Sequence, residues 1–120
     1  MEDNKLIAEF MGYIYEDDRF FMEDSNGELV AKSQYENLHH ELKYDSSWDW
    51  LMPVVDKIES LNDTKGDPYR FTITMYDASI KGTDIEILGD AYYEGSEQKI
   101  VSTYQAVLEF IKYYNNGRKQ

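Results

Sequence analysis

The chain has 120 residues, room for one domain with its own core and too few for two of ordinary size. It contains no cysteine, which excludes disulfides, thiolate nucleophiles and cysteine-ligated zinc. Asp and Glu outnumber Lys and Arg by 24 to 12, and the resulting charge of −12 opposes nonspecific association with DNA, RNA or anionic lipid, because every phosphate contact is made against a repulsive field.

The start Met1-Glu2-Asp3-Asn4 lacks the basic and then apolar order of a secretion signal, and no run of about eighteen apolar residues is present to span a bilayer. A cytoplasmic location is therefore expected. Asn4 or Asp3 caps a short first helix whose apolar face is Leu6, Ile7, Phe10 and Met11, and Gly12 stops it. Strand-like stretches follow at Tyr13–Tyr15 or Phe20–Glu23 and then at Glu28–Lys32. Between them lies Asp24-Ser25-Asn26-Gly27, whose Asn-Gly pair tolerates the positive φ of a tight hairpin turn. Residues 33–45 show no clean period and read as loop.

Ser46, with Asp49 three residues on, has the form of a capping box. The helix behind it carries the stripe Leu51, Val54, Val55, Ile58 and Leu61 and ends near Asn62. Pro53, past the first turn, predicts a kink or a start displaced towards Trp50. Asp63 to Pro68 reads as a polar turn. Phe71, Ile73 and Met75 then alternate with Arg70, Thr72, Thr74 and Tyr76 as in a half-buried strand. Gly82 and Gly89 bracket another strand, with Ile85 and Ile87 facing away from Asp84 and Glu86, and the two strands are expected to pair as antiparallel neighbours. After Gly95, Ser96 caps the last helix, or the helix begins at Ser102 with Lys99–Ser102 extended. Its stripe is Ile100, Tyr104, Val107, Leu108, Ile111 and Tyr114, and Asn115-Asn116-Gly117 supplies a left-handed stop. The expected architecture is α+β and a single domain over residues 1–120. An antiparallel sheet of about four strands, from 13–32 and 69–88, packs against two main helices at 47–61 and 97–115 plus the short N-terminal helix.

Three blocks carry a resemblance: Leu6-Ile7-Ala8-Glu9-Phe10-Met11-Gly12, Leu42-Lys43-Tyr44-Asp45-Ser46-Ser47-Trp48-Asp49-Trp50-Leu51-Met52-Pro53-Val54-Val55, and Tyr104-Gln105-Ala106-Val107-Leu108-Glu109-Phe110-Ile111-Lys112-Tyr113-Tyr114-Asn115. Together they resemble a group of small uncharacterised proteins of phages and prophages of Bacteroidota, similar to the phage α-β-α sandwich domain. Residues 13–41 and 77–98 fall outside it. The resemblance brings no catalytic residues and no cofactor. It implies a mobile-element setting, in which small acidic proteins bind and block host defence machinery such as CRISPR nucleases or restriction enzymes.

The residues themselves offer several chemistries. The first 28 positions hold nine acids against two bases, −7 of the total −12. Glu16, Asp17, Asp18, Glu23, Asp24 and Glu28 form the candidate acidic surface. Carboxylates spread along a hairpin suit the Lys/Arg groove of a nuclease, where duplex DNA would present a charge about every 1.7 Å. A solubility role is the plain alternative. Tyr13, Tyr15, Trp48, Tyr92 and Tyr93 are candidate aromatic anchors for a partner, since Trp and Tyr dominate binding hot spots, with core packing as the competing role. Trp48 and Trp50 are two apart and cannot share a helix face, so one is expected in the core. His39-His40, flanked by Glu36 and Glu41, point apart on regular structure, and a zinc site needs three or four convergent ligands. Asp24, Asn26 and Glu28 lack the glycine placement and later glutamate of a calcium loop. The expected function is a noncatalytic accessory protein binding a host protein with a basic surface, such as a nuclease or CRISPR effector, without direct contact to nucleic acid or membrane. A second reading is a nucleotide-like ligand stacked on Trp48, Tyr69 or Tyr92. A third, resting on carboxylates with His39 or His40, is a hydrolase.

Overall fold

The structure, a computed structural model, describes residues 2–16, 19–23, 29–31, 42–83, 85–89 and 97–117, the strands between residues 14 and 31 by their backbone. The chain divides into two compact units, Met1–Lys43 and Tyr44–Gln120. In the first unit, α1 (Glu2–Phe10) starts two residues before Asn4. Asn4 is thus not a cap: it is buried inside the helix, and its Nδ2 donates to the Leu42 carbonyl at 3.0 Å. Ile7 and Ala8 are fully buried, and Leu6 and Phe10 half-buried. The helix stops where the sequence places the stop. Gly12 has φ 101°, its N–H donates to the Glu9 carbonyl (3.1 Å), and the Tyr13 N–H donates to the Ala8 carbonyl (3.0 Å). This pair of bonds is a Schellman closure, open to glycine because of the positive φ.

Both alternative strand positions are occupied. Strands β1 (Ile14–Glu16), β2 (Arg19–Glu23) and β3 (Leu29–Ala31) form an antiparallel meander, in register Ile14 to Phe21 and Met22 to Val30. The Asn-Gly turn expected at residues 24–27 lies outside the described residues, as do residues 33–41.

The second unit opens with α2 (Trp48–Glu59), which buries Leu51, Val54, Val55 and Ile58. Its cap is Ser47 rather than Ser46, in extended conformation and without a side-chain cap bond. The shift by one residue moves Asp49 to the second helical position, so the capping box does not form. The helix runs through Pro53. That position is exposed, as is Asp49, whose carbonyl loses its intrahelical donor to the proline ring, so water can serve it.

Strands β4 (Arg70–Ile73), β5 (Ala78–Lys81) and β6 (Glu86–Gly89) make a second antiparallel meander in that order. The expected direct pairing of the Phe71 and Ile87 segments is therefore corrected: both pair with β5, through Phe71 to Ile80 and Ile80 to Ile87. Ala78-Ser79-Ile80-Lys81 has weak strand propensity, and its place is set by two partners rather than by its own residues. Among the described residues the strands accordingly lie in two three-stranded sheets and not in one of about four. The α+β class holds.

One face of the β4–β6 sheet buries Ala78, Ile80, Ile87 and Gly89; the other exposes Arg70, Thr72, Lys81, Glu86 and Leu88. Helix α3 (Gln98–Gly117) packs on β6 and β5, and α2 packs on α3 and β4. The helix starts at Gln98, ahead of the Ser102 alternative. It buries Ile100, Ala106, Val107, Leu108, Phe110 and Ile111, whereas Tyr104 and Tyr114 are half-buried. Phe110 meets Tyr69 edge-on at 4.9 Å and stacks with Tyr114 at 5.6 Å. Gly117 is still helical, so the left-handed stop expected there is not formed. No helix among the described residues is long and apolar enough to cross a membrane.

Candidate functional site

The loop after α2 must turn back into β4, and Asp63 organises it. Its Oδ1 accepts the N–H groups of Lys65 (2.9 Å) and Asp67 (3.0 Å), while Oδ2 accepts the N–H and the hydroxyl of Thr83, both at 2.7 Å. Thr83 sits in the β5–β6 hairpin, closed by the Gly82 N–H donating to the Ile85 carbonyl at 2.8 Å. The Thr83 amide and hydroxyl lower the Asp63 carboxyl from 3.8 to about 2, and the Asp67 and Lys65 amides add to this against the opposing effect of burial. A cleft of about 300 Å³ beside it is lined by Asp63, Asp67, Pro68, Arg70, Gly82 and Thr83. With four donors on its two oxygens, Asp63 ties loop to hairpin and has no free lone pair suited to a base or a metal. Among the described residues no group of three His, Cys, Asp or Glu is placed to hold a metal ion.

The other end of the same sheet presents apolar surface. The Thr74 N–H donates to the Asp77 carbonyl (2.8 Å), and the Thr74 hydroxyl donates to Asp77 Oδ1 (2.7 Å) while accepting the Asp77 N–H (3.1 Å). These bonds hold a tight turn with Met75 and Tyr76 at its tip, 67% and 74% exposed. The Tyr76 carbonyl in turn accepts Gln98 Nε2 and Ser102 Oγ, each at 3.1 Å, which ties the turn to the start of α3. Next to it a cleft of about 340 Å³ lies between the first turns of α2 and α3 and the end of β4, lined by Trp48, Met52, Ile73 and Lys99. Asp49, next to Trp48 in the chain, and Glu97, two residues before Lys99, are exposed.

Of the sequence-derived candidates among the described residues, Trp48 lines this cleft. Trp50 is half-buried and meets Tyr44 edge-on at 5.3 Å. Neither tryptophan enters the core, contrary to expectation, because the buried stripe of α2 begins at Leu51 and the buried ring here is Tyr44. Tyr69 is buried against Phe110 and lines neither cleft. Tyr13 is half-buried, and Tyr15 lies opposite Phe20 in the β1–β2 pair. Glu16 and Glu23 end β1 and β2, opposite Arg19 and Leu29. Asp17, Asp18, Asp24, Glu28, His39, His40, Tyr92 and Tyr93 lie outside the described residues.

Sequence reasoning missed Met52, Met75, Tyr76 and Lys99. Met75 was expected inward on a longer strand, but β4 ends at Ile73 and the turn sends it to solvent. Met52 did leave a signal, an apolar residue off the Leu51, Val54, Val55 and Ile58 stripe. Comparison of the chain with family models, curated proteins and solved structures finds no match.

Proposed function

We propose that the chain is a noncatalytic binding protein that docks on a partner protein with a basic surface. In the phage or prophage setting that its motifs resemble, the partner is a host protein of the defence machinery that handles nucleic acid, and docking inhibits it. One observation supports this above the rest: an acidic chain that buries Leu51, Val54, Ile58, Phe110 and Ile111 nevertheless exposes Met52, Met75, Tyr76 and Leu88. Such groups on a charged surface are suited to anchoring a partner, while the carboxylates steer it. The single described carboxylate that is buried, Asp63, is consumed by internal bonds, which fits a role without acid–base chemistry.

Affinity capture from lysate of the native host tests the reading, with the wild-type chain compared against a chain carrying Glu16→Lys, Asp17→Lys, Asp18→Lys, Glu23→Lys and Asp24→Lys. A basic protein retained by the first and lost by the second is the expected result. Equal retention by both chains, or retention that is undiminished at about 1 M salt, would refute the electrostatic part.

A further inference from the structure

We infer that the cleft between the loop at residues 63–68 and the β5–β6 hairpin is a binding site for a small zwitterion, a free amino acid whose ammonium meets Asp67 and whose carboxylate meets Arg70. The inference goes beyond the protein-binding reading and does not depend on it. Asp63, Asp67 and Arg70 are the charged residues among the described lining groups, and the last two have charge to offer a ligand. Asp63 is spent on Lys65, Asp67 and Thr83. Asp67 is held by its backbone, whose N–H donates to Asp63 Oδ1 (3.0 Å) and whose carbonyl accepts the Asp63 N–H (2.8 Å). Its Oδ2 lies 3.1 Å from the Thr83 hydroxyl, which has one proton and stands nearer to Asp63 Oδ2, at 2.7 Å. The other oxygen, Asp67 Oδ1, accepts no bond among the described residues. One pole of the site is thus in place before a ligand arrives, which spares part of the ordering cost of binding.

Arg70 supplies the other pole. It begins β4, and no acid among the described residues pairs with it, Asp67 included. Its register partner on β5 is Lys81, also exposed. Like charges facing each other across an antiparallel pair repel, and a carboxylate bound to the guanidinium relieves that repulsion. Lys81 has Glu86 opposite it on β6, so the cation left without a counter-charge in this row is Arg70. Charge then selects the occupant. A phosphate or a plain carboxylate would meet Asp67, and a cation or metal ion alone would meet Arg70; a molecule carrying both signs satisfies both. At about 300 Å³ the cleft is at the low end for a ligand site, which typically runs to about 300–1,000 Å³, and it suits an amino acid rather than a nucleotide. Pro68 adds an apolar wall for the methylenes between the two charges.

The test titrates the isotope-labelled full chain with the straight-chain amino acids from glycine to aminohexanoate, reading the backbone amide resonances of Asp67, Arg70, Gly82 and Thr83. Two poles held apart by the fold predict saturable shifts with the tightest binding at one chain length. Of that best ligand, the N-acetyl form and the carboxamide should each bind about tenfold more weakly or worse, having lost one charge. Arg70→Gln should then bind the parent and its carboxamide alike, and Asp67→Asn the parent and its N-acetyl form alike. A loop that had merely loosened would instead weaken all three ligands together. Arg70 has no partner among the described residues to lose, so its variant decides the matter even if Asp67→Asn melts lower. No saturable shift with any member at up to about 10 mM, affinity that is flat along the series, or discrimination against the carboxamide that survives Arg70→Gln would overturn the inference.

Discussion

Four donors converge on the Asp63 carboxylate, and what they do for it depends on its being an acceptor at every lone pair. An amide in its place would turn an NH₂ towards donors at one end. Asp63→Asn should therefore lower the melting temperature at neutral pH by several degrees, by leaving part-buried donors without an acceptor. The pH dependence follows from the carboxyl lying at about 2 when folded and near 3.8 when not. Between those values the unfolded chain binds the extra proton, so the stabilisation is complete above the ordinary value and is lost as pH falls through about 2. Melting curves of the two chains from neutral pH down to about 2 should converge at the acid end. A deficit that stays constant with pH would show that the charge of Asp63 is not what stabilises the loop. The sequence showed Asp63 only as part of a polar turn. Its partner Thr83 is twenty residues away, and no local pattern encodes that meeting.

At the scale of elements, the close crossing of α3 over β6 is fixed by the absence of a side chain. A Cβ on Gly89 would lie 2.6 Å from the Ala106 nitrogen and 2.8 Å from its Cβ, and it would also meet the Ser102 carbonyl. Those are mostly backbone atoms of a buried helix face and cannot swing aside. Gly89→Ala is expected to cost about 3 kcal/mol or more, the upper end for overpacking, whereas Leu88→Ala, on the exposed face, should stay within about 0.5 kcal/mol. Urea midpoints of the two variants check this, and a Gly89→Ala chain as stable as wild type would mean that the helix does not cross there. The helices were the most legible elements, because a period of 3.6 repeated over several turns survives small errors: the stripes through Val55 and Ile111 are in the core. Gly89 was read as a boundary because an isolated glycine signals a turn as readily as a close approach. Strand β5 was missed because four residues containing one β-branched side chain carry little pattern, and Phe110 was missed because α3 is buried over more of its circumference than one stripe.

For the molecule as a whole, charge and apolar anchors should act on different steps of binding. The excess of −12 is a property of the entire chain, legible from composition, and it works at long range. Under the proposed binding, Met52 and Tyr76 would act only on contact, and their exposure is hidden from the sequence because it is decided by where β4 stops and how α2 is turned. Against a purified basic partner, raising salt from about 0.05 to 0.5 M should slow association by about tenfold or more while changing dissociation little, as screening shortens the reach of the field. Met52→Gln and Tyr76→Ala should do the reverse, speeding dissociation with association nearly unchanged, because interface contacts set the lifetime of a complex once formed. Stopped-flow or surface-immobilised kinetics read both rates in one experiment. If salt and the apolar substitutions acted on the same rate constant, steering and anchoring would not be separate jobs. The acidic composition would then have to be explained by solubility alone.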